Sequence, residues 1–246
     1  MKLILLGSTG YHPNEQRHTA CFMLPDLGVV LDAGTGFFRV RNHLQTRTLD
    51  IFLTHAHLDH IVGLTFLFDV LFEKDVERVD VHGAASKLAA VQQHLLAPDL
   101  FPVALPCDYR PLAGPVTLAD GSRLTYFPLE HPGGSIGYRI DWPGRSFAYV
   151  TDTTAQASAA YLEHIRGVDT LIHECYFPDG LEAVAEKTGH SCATPVAQVA
   201  LAAGVQRLIL VHVNPLSAAD DPIGLDRVRA IFPNVEIGYD GMELDV

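Results

Sequence analysis

The stretch THAHLDH, residues 54–60, places four side chains that commonly bind metal ions within six positions. They are His55, His57, Asp59 and His60. A mostly apolar run at residues 49–53 precedes them and predicts a strand that ends just before the stretch. The first two histidines are two positions apart, whereas a helix brings residues four apart to one face. We therefore interpret the stretch as a loop after a strand, with a helix that begins near His60. Such a loop can direct its first two ligands one way and its last two the other, which indicates two metal ions.

The composition is that of a globular protein with a large core. The chain has 246 residues, of which 48% are hydrophobic and 19% are charged, and we interpret it as one domain over residues 1–246. The formal net charge is −12, and no stretch is rich in lysine or arginine. Because a negative field repels polyanions, long nucleic acid is not an expected partner.

The cysteines and the apolar runs bear on the compartment. The four cysteines form no Cys-x-x-Cys pair, so reduced thiols in the cytoplasm are a simpler interpretation than a disulfide framework. The most apolar segment, residues 61–72, contains Asp69 and is too short to span a bilayer. We expect a cytoplasmic protein with no membrane partner. Residues 64–72 of the same segment could pair the subunits of a homodimer.

Short strands alternate with helices in both halves of the chain. The predicted helices are residues 61–72, 84–96, 156–165, 194–204 and 225–232. The fourth of these begins with Thr194 as its N-cap and stops at Gly204. The chain is predicted to close with a hairpin of residues 235–239 and 242–244. We infer two β-sheets packed face to face with helices outside, in a single α/β domain.

Four residues cannot hold two metal ions, so further ligands must come from other parts of the chain. The best candidates are His131, Asp152 and His212, which all lie at the ends of predicted strands. Each of them alone could be a core histidine or a helix cap. Because all three occupy the same kind of position, we predict that they join the stretch at residues 54–60.

The motif HAHLDH, together with His131, Asp152 and His212, resembles the metallo-β-lactamase superfamily. The resemblance extends from LLGSTG, residues 5–10, and LDAG, residues 31–34, to the C-terminus. It implies a four-layer αββα sandwich of two mixed β-sheets with helices outside, and a site for two metal ions. It further implies that His55, His57 and His131 hold one metal ion, that Asp59, His60 and His212 hold the other, and that Asp152 bridges them. A carboxylate has two oxygens and can therefore bind two cations at once.

Two further segments resemble the ribonuclease Z-like and cyclic-phosphate phosphodiesterase subgroup of that superfamily. They are HECYF, residues 173–177, and GHS, residues 189–191. In the subgroup, the histidine matching His190 lies near the scissile phosphate and the glutamate matching Glu174 supports it. Ribonuclease Z carries a long arm that binds tRNA, usually inserted between the segments matching His131 and Asp152. Only 21 positions separate these two residues here, which is too short an interval for such an arm.

The resemblance implies a metal-dependent hydrolase. We expect a phosphodiesterase that hydrolyses a small or cyclic phosphodiester with a hydroxide activated by two divalent metal ions. His190 would donate a proton to the leaving alkoxide, Glu174 would orient His190, and Asp59 would also accept a hydrogen bond from the attacking water. Histidine and carboxylate ligands suit zinc or manganese, with iron as a third candidate.

Three other functions stay open from the sequence. The chain could be an RNA 3′-processing endonuclease resembling ribonuclease Z, or a thioester or lactone hydrolase, since one metal core serves both chemistries. It could also be a non-catalytic binding protein stabilised by metal. Asp32 in LDAG is interpreted as a hydrogen-bond partner of a ligand histidine. Arg17, His18 and the amides of Gly7–Gly10 are candidate substrate contacts.

Overall fold

The computed structural model describes residues 1–217, 219 and 221–246. The chain divides into two compact units. The first contains Met1–Gly114 and Tyr239–Asp245, and the second contains Pro115–Gly238 and Val246. The single domain suggested by the composition stays a prediction. Among the described residues, no helix combines the length and the apolar character needed to cross a membrane.

Both units are built on β-strands joined by short helices. The strands are β1 Lys2–Gly7, β2 Cys21–Leu24, β3 Val29–Leu31, β4 Thr48–Phe52, β5 Arg78–Gly83, β6 Asp108–Pro111, β7 Val116–Thr117, β8 Arg123–Leu129, β9 Ser135–Trp142, β10 Arg145–Val150, β11 Thr170–Glu174, β12 Arg207–Val211, β13 Val235–Ile237 and β14 Glu243–Asp245. The helices are α1 Val40–His43, α2 Leu58–Ile61, α3 Leu67–Leu71, α4 Ala85–Ala90, α5 Leu162–Ile165, α6 Glu182–Thr188, α7 Ala193–Ala203 and α8 Leu225–Ile231. Short 3₁₀ segments lie at Pro25–Leu27, Thr35–Arg39 and Val62–Phe66, and a π-helical turn lies at Val91–Leu95.

Each unit contains a mixed sheet of the same design. The strand order is β14-β1-β2-β3-β4-β5-β6 in the first unit and β13-β12-β11-β10-β9-β8-β7 in the second. In the first sheet β14, β1, β2 and β3 pair antiparallel, and β3 to β6 pair parallel. In the second sheet β7 to β10 pair antiparallel, and β10 to β13 pair parallel.

These strand directions bring particular loops together. Strands β1, β3, β4 and β5 run the same way, so their carboxyl ends share one edge of the first sheet. Strands β8, β10, β11 and β12 likewise end at one edge of the second sheet. In open α/β sheets the carboxyl ends of strands are the usual place for binding residues.

Apolar side chains on alternate strand positions pack the helices of each unit onto its sheet. In the first unit Ile4 and Leu6 of β1 belong to a buried cluster with Leu64 and Leu67. In the second unit the small residues along one side of α7, among them Ala197 and Ala200, allow close packing on the strands. Helix α7 ends at Gly204, whose φ of 64° is the left-handed conformation that glycine adopts without strain.

Several predicted elements differ from the structure. The closing hairpin is wrong, because β13 pairs with β12 in the second sheet and β14 pairs with β1 in the first. The helix predicted at 156–165 is helical only over α5, and that predicted at 61–72 is divided among α2, a 3₁₀ segment and α3. The N-cap of α7 is Cys192 rather than Thr194. Local pattern does not determine these features, since tertiary packing overrides weak propensity.

Candidate metal centre

The histidines of the stretch 54–60 form a cluster in the first unit. They lie in the loop after β4 and in the single turn of α2, which begins at Leu58 rather than near His60. The ring centroid of His55 lies 4.5 Å from that of His57 and 4.3 Å from that of His60. Nε2 of His60 lies 3.4 Å from Oδ2 of Asp59. The structure therefore brings together all four residues that the stretch contributes.

Asp32 is a fully buried carboxylate that contacts two parts of this cluster. One oxygen accepts a hydrogen bond from Nδ1 of His60 at 2.8 Å, and the other accepts one from the amide of Thr54 at 2.8 Å. The Thr54 hydroxyl donates to Asp32, so its oxygen accepts from Nδ1 of His55, 3.0 Å away. With Nδ1 of both histidines protonated, the lone pair of each Nε2 is available to a metal ion.

The second unit brings its three predicted ligands to one edge of its sheet. His131 follows β8, Asp152 follows β10, and His212 directly follows β12. Oδ1 of Asp152 lies 3.3 Å from Nε2 of His212, and Oδ2 lies 3.6 Å from Nε2 of His131. Nδ1 of His131 is 2.9 Å from the carbonyl oxygen of Gly189, to which it donates. Each oxygen of one carboxylate thus faces a different histidine.

The backbone at these strand ends is unusual. Asp32, Asp152 and His212 have φ angles of 57°, 22° and 56°, in a region that residues other than glycine rarely adopt. Such conformations persist where the surrounding structure enforces them, and they occur often at functional sites. Here these residues lie just past strand ends: Asp32 and His212 directly follow β3 and β12, and Asp152 lies two positions after β10.

The donor atoms have the spacing that a bound cation requires. A zinc ion held at about 2.0–2.1 Å by tetrahedral ligands separates its donor atoms by roughly 3.3–3.4 Å. The distances between carboxylate oxygen and imidazole nitrogen are 3.4 Å for Asp59 and His60, 3.3 Å for Asp152 and His212, and 3.6 Å for Asp152 and His131. Both groups of residues therefore fit divalent metal ions in donor type and in spacing.

Glu174 and His190 form a second feature of the second unit. Glu174, the last residue of β11, is fully buried, and its Oε1 lies 3.1 Å from Nδ1 of His190. The same carboxylate accepts hydrogen bonds from the amides of Thr153 and Ser191 at 3.0 and 3.3 Å. These donors compensate a buried negative charge and hold the carboxylate still. His190 then donates from Nδ1 and presents Nε2, and its atoms also lie near enough to Asp152 and His212 to bind a metal with them.

The sequence did not predict two residues, Ser191 and Tyr176, that contact the segments around Asp152 and His190. Ser191 accepts a hydrogen bond from the amide of Ala155 at 2.9 Å and donates one to the carbonyl of Thr153 at 2.7 Å, so it ties together the segments after Asp152 and after His190. The ring of Tyr176 stacks on His190 with centroids 5.0 Å apart. The motifs GHS and HECYF contain Ser191 and Tyr176, but neither residue has a chemistry that would single it out.

His173 is a buried histidine with a purely internal set of partners. Its Nδ1 donates to the carbonyl of Glu174 at 2.7 Å, and its Nε2 lies 2.9 Å from the hydroxyl of Tyr161, which must therefore donate. Burial lowers the pKa of His173, and the nearby Glu174 opposes this shift only in part. His173 is thus a neutral residue that supports the end of β11.

Comparison with known proteins identifies the family. The Beta-lactamase superfamily domain matches residues 28–213, and the chain belongs to this family. The predicted superfamily, and with it a metal-dependent hydrolase, is confirmed at this level. The family implies divalent metal ions, and the two groups of donors described above suit them.

Individual relatives agree with this assignment. The chain is 30% identical over 308 residues to a ribonuclease Z of Gloeothece citriformis, with all of this chain and 96% of the relative covered. The metallo-beta-lactamase fold protein YhfI from Bacillus subtilis superimposes with a TM-score of 0.82 at 19% identity, over 99% of each chain. The short form of human tRNase Z gives 0.77 at 20% identity, over 100% of this chain and 99% of that one. The predicted fold class, two mixed sheets with helices in the metallo-β-lactamase fold, is confirmed.

Proposed function

We propose that the protein is a metal-dependent phosphodiesterase. The observation that carries the proposal is the carboxylate of Asp152, whose two oxygens face His131 and His212 at distances suited to two cations. Beside them, His190 is held by a buried Glu174 in the orientation that an acid needs. A shared carboxylate supports two-metal chemistry, and a positioned histidine supports protonation of a leaving group.

The proposed ligand set contains both groups of residues. We propose that His55, His57 and His131 hold one ion, that Asp59, His60 and His212 hold the other, and that Asp152 bridges the two. The Nδ1 contacts of His55, His60 and His131 support this set, because they direct Nε2 as the ligand atom. Imidazole and carboxylate ligands favour zinc or manganese, with iron as a third candidate.

The chain's own residues would perform the remaining steps. When bound, two divalent ions lower the pKa of a water and neutralise charge on a phosphoryl group. Asp59 would accept a hydrogen bond from the attacking water and so orient it. His190, protonated on both nitrogens, would keep its Nδ1 bond to Glu174 and transfer the proton of Nε2 to the leaving alkoxide.

A small or cyclic phosphodiester is the substrate class that we favour. The interval between His131 and Asp152 contains only β9, β10 and their turns, which supports the absence of an RNA-binding arm at this point. At least 62 of the 308 positions aligned with the ribonuclease Z of Gloeothece citriformis hold no residue of this 246-residue chain. The net charge of −12 disfavours a long polyanion.

A second candidate is RNA 3′-end processing. It is favoured by the ribonuclease Z of Gloeothece citriformis, which aligns with all of this chain. The active groups would be the same, and the difference would lie in what binds the rest of the RNA. A cytoplasmic location and a homodimer stay predictions beside both candidates.

One experiment separates these functions. The purified protein, loaded with zinc or manganese, is assayed on bis(p-nitrophenyl) phosphate, on a precursor tRNA, and on a thioester and a lactone. We expect turnover of the phosphodiester, with a loss of about 10²–10⁴-fold in kcat for His190→Ala while two metal equivalents are retained. The exposed His94→Ala serves as the matched control and should keep full activity.

The outcomes are distinct. Efficient tRNA processing with slow hydrolysis of the small diester would replace the favoured substrate class by RNA. Turnover of the carbonyl substrates alone would contradict the phosphodiesterase. Loss of a metal equivalent in His190→Ala would make His190 a ligand rather than the acid.

A further inference from the structure

The loop of residues 8–19, which we call the N-terminal loop, contacts Asp59 through its backbone. The amide of Tyr11 donates a hydrogen bond to Oδ2 of Asp59 at 2.8 Å. The same oxygen lies 3.4 Å from Nε2 of His60. The Tyr11 side chain is 75% exposed, so packing of its ring does not hold this amide in place.

The backbone of Tyr11 adopts a conformation that side chains normally avoid. Its φ is 63°, in the left-handed region. The next amide, that of His12, turns back to the carbonyl of Gly10 at 2.8 Å. Since the exposed ring gives no reason for this conformation, something in the loop itself must enforce it.

Asp240, at the far end of the sequence, holds the N-terminal loop. Its Oδ1 accepts hydrogen bonds from the amide and the hydroxyl of Ser8 at 3.0 and 2.8 Å, and its Oδ2 accepts one from the amide of His18 at 2.7 Å. Arg39 donates to the same Oδ2 at 2.5 Å and balances the charge of the carboxylate, which is 6% exposed. A single carboxylate thus binds both ends of the loop.

Further bonds inside the loop complete this arrangement. Arg17 donates to the hydroxyl of Ser8 at 2.8 Å, and the amide of Thr9 donates to the carbonyl of His18 at 3.0 Å. The ring of His18 lies 3.2 Å from the hydroxyl of Thr35. Arg17 and His18, predicted as candidate substrate contacts, therefore have contacts that stabilise the loop.

We propose that Asp240 is a positioning residue for the hydrolytic site, and that it acts through the N-terminal loop on Asp59. By clamping Ser8 and His18, Asp240 keeps the amide of Tyr11 directed at Oδ2 of Asp59. That bond fixes the rotamer of Asp59 and, with it, the position of Oδ2 beside Nε2 of His60. The role of Asp59 as ligand and acceptor rests on the proposed function, whereas the clamp is a property of the first unit alone.

Amide hydrogen exchange tests the clamp on the metal-free protein. We expect the Tyr11 amide to be protected in the wild type and to exchange at least about tenfold faster in Asp59→Ala and in Asp240→Asn. Glu243→Gln is the matched control, because Glu243 is an acid of the same C-terminal segment and pairs only with the exposed Lys2 among its described contacts. It should leave the Tyr11 amide protected.

Amides of β11 report on global unfolding, and their exchange should be unchanged in every variant. If Asp240→Asn does not fold, Ser8→Ala is measured in its place, because it removes the hydroxyl bond to Asp240 and the bond from Arg17. An unprotected Tyr11 amide in the wild type, or protection that survives both Asp59→Ala and the loss of the clamp, would overturn the proposal.

A double-mutant cycle on Zn²⁺ affinity tests the action on Asp59 without any substrate. Asp240→Asn should weaken binding of the more weakly held Zn²⁺ by about tenfold in the wild-type background. It should have no effect when Asp59 is already Asn, because the two changes then remove the same interaction. Equal effects in both backgrounds would contradict a path through Asp59. This result is independent of whether any phosphodiester is hydrolysed, so the positioning role and the proposed function can fail separately.

Discussion

At the scale of single residues, the candidate centre depends on which nitrogen of each histidine carries the proton. Thr54, Asp32 and the carbonyl of Gly189 occupy Nδ1 of three histidines and leave Nε2 as the ligand atom. A metal-binding histidine is typically held this way, since the second hydrogen bond fixes both the tautomer and the ring. The residues that select the nitrogen are thus as necessary as the ligands.

Asp32→Asn tests that dependence. The asparagine side chain has one acceptor oxygen instead of two. It can no longer accept hydrogen bonds from Nδ1 of His60, the Thr54 amide and the Thr54 hydroxyl together, so the orientation of His60 is lost. We expect Zn²⁺ affinity to fall by about 10–100-fold, measured by competition with a chelating dye. Asp26→Asn, at an exposed position of the 3₁₀ segment Pro25–Leu27, is the matched control and should bind Zn²⁺ normally. Unchanged affinity in Asp32→Asn would show that His60 needs no such partner.

His173 predicts a pH dependence of stability. Its pKa in the folded protein is below the ordinary value of 6.5, chiefly because of burial. The unfolded chain therefore binds a proton first as the pH falls, and the stability that the neutral form contributes is lost below about pH 6.5. Urea unfolding of the metal-free protein should show a free energy of unfolding that decreases from pH 7 to pH 5, and less steeply in His173→Gln. Parallel curves for the two proteins would exclude His173 as the source.

At the scale of elements, the candidate ligands of each unit lie at the ends of strands. In each sheet the strands that precede candidate ligands run in one direction, so their carboxyl ends meet at one edge. Residues with positive φ lie within two positions of three of these ends. Glycines with positive φ follow helices α6 and α7, where Gly189 and Gly204 have φ angles of 74° and 64°.

These two glycines offer a matched comparison. A Cβ on Gly204 would meet nothing within 4 Å, whereas one on Gly189 would lie 2.7 Å from Nδ1 of His131 and 2.3 Å from Pro132. Gly204→Ala should cost about 1–2 kcal/mol, the strain of the left-handed conformation. Gly189→Ala should cost about 1–3 kcal/mol more by overpacking and should also displace His131. Urea unfolding and metal content measure the two effects, and equal results for both variants would contradict this explanation.

At the scale of the whole molecule, the proposed ligands come from segments far apart in the chain. Each unit by itself buries carboxylate and imidazole groups, in a protein whose net charge is already −12. Concentrating negative charge in this way costs stability unless cations compensate it. We therefore expect metal ions to contribute to the stability of the fold as well as to chemistry.

Metal-linked stability is measurable by thermal unfolding. A ligand that binds only the folded state at 100 times its Kd adds about 2.7 kcal/mol, which for a chain of this size corresponds to roughly 5–10 °C in Tm. We expect such a rise when Zn²⁺ is added to the metal-free protein, and a much smaller one in Asp152→Ala. Glu243→Gln should respond as the wild type does. A Tm that is independent of Zn²⁺ would contradict metal binding by the folded state.

Much of this could be predicted from the sequence. Apolar runs predicted strands, and His131, Asp152 and His212 were recognised because each lies at the end of such a run. Burial of apolar side chains is decided over a few residues, so local pattern is informative there. Candidate metal ligands in a motif such as HAHLDH can also be recognised from the sequence, since three histidines and an aspartate rarely occur within six positions.

Tertiary structure alone decided the remaining features. The final strands β13 and β14 join different sheets, although the Asp240-Gly241 turn between them suggests a hairpin. Ser8 and Asp240 are 232 positions apart, and no local feature pairs them. Every backbone amide and carbonyl can form the same hydrogen bond, so the choice of partner depends on which arrangement buries the most apolar surface across the chain. The total apolar surface that is buried is a property of the folded molecule, whereas the ability to bind a metal ion is a property of the residue types themselves.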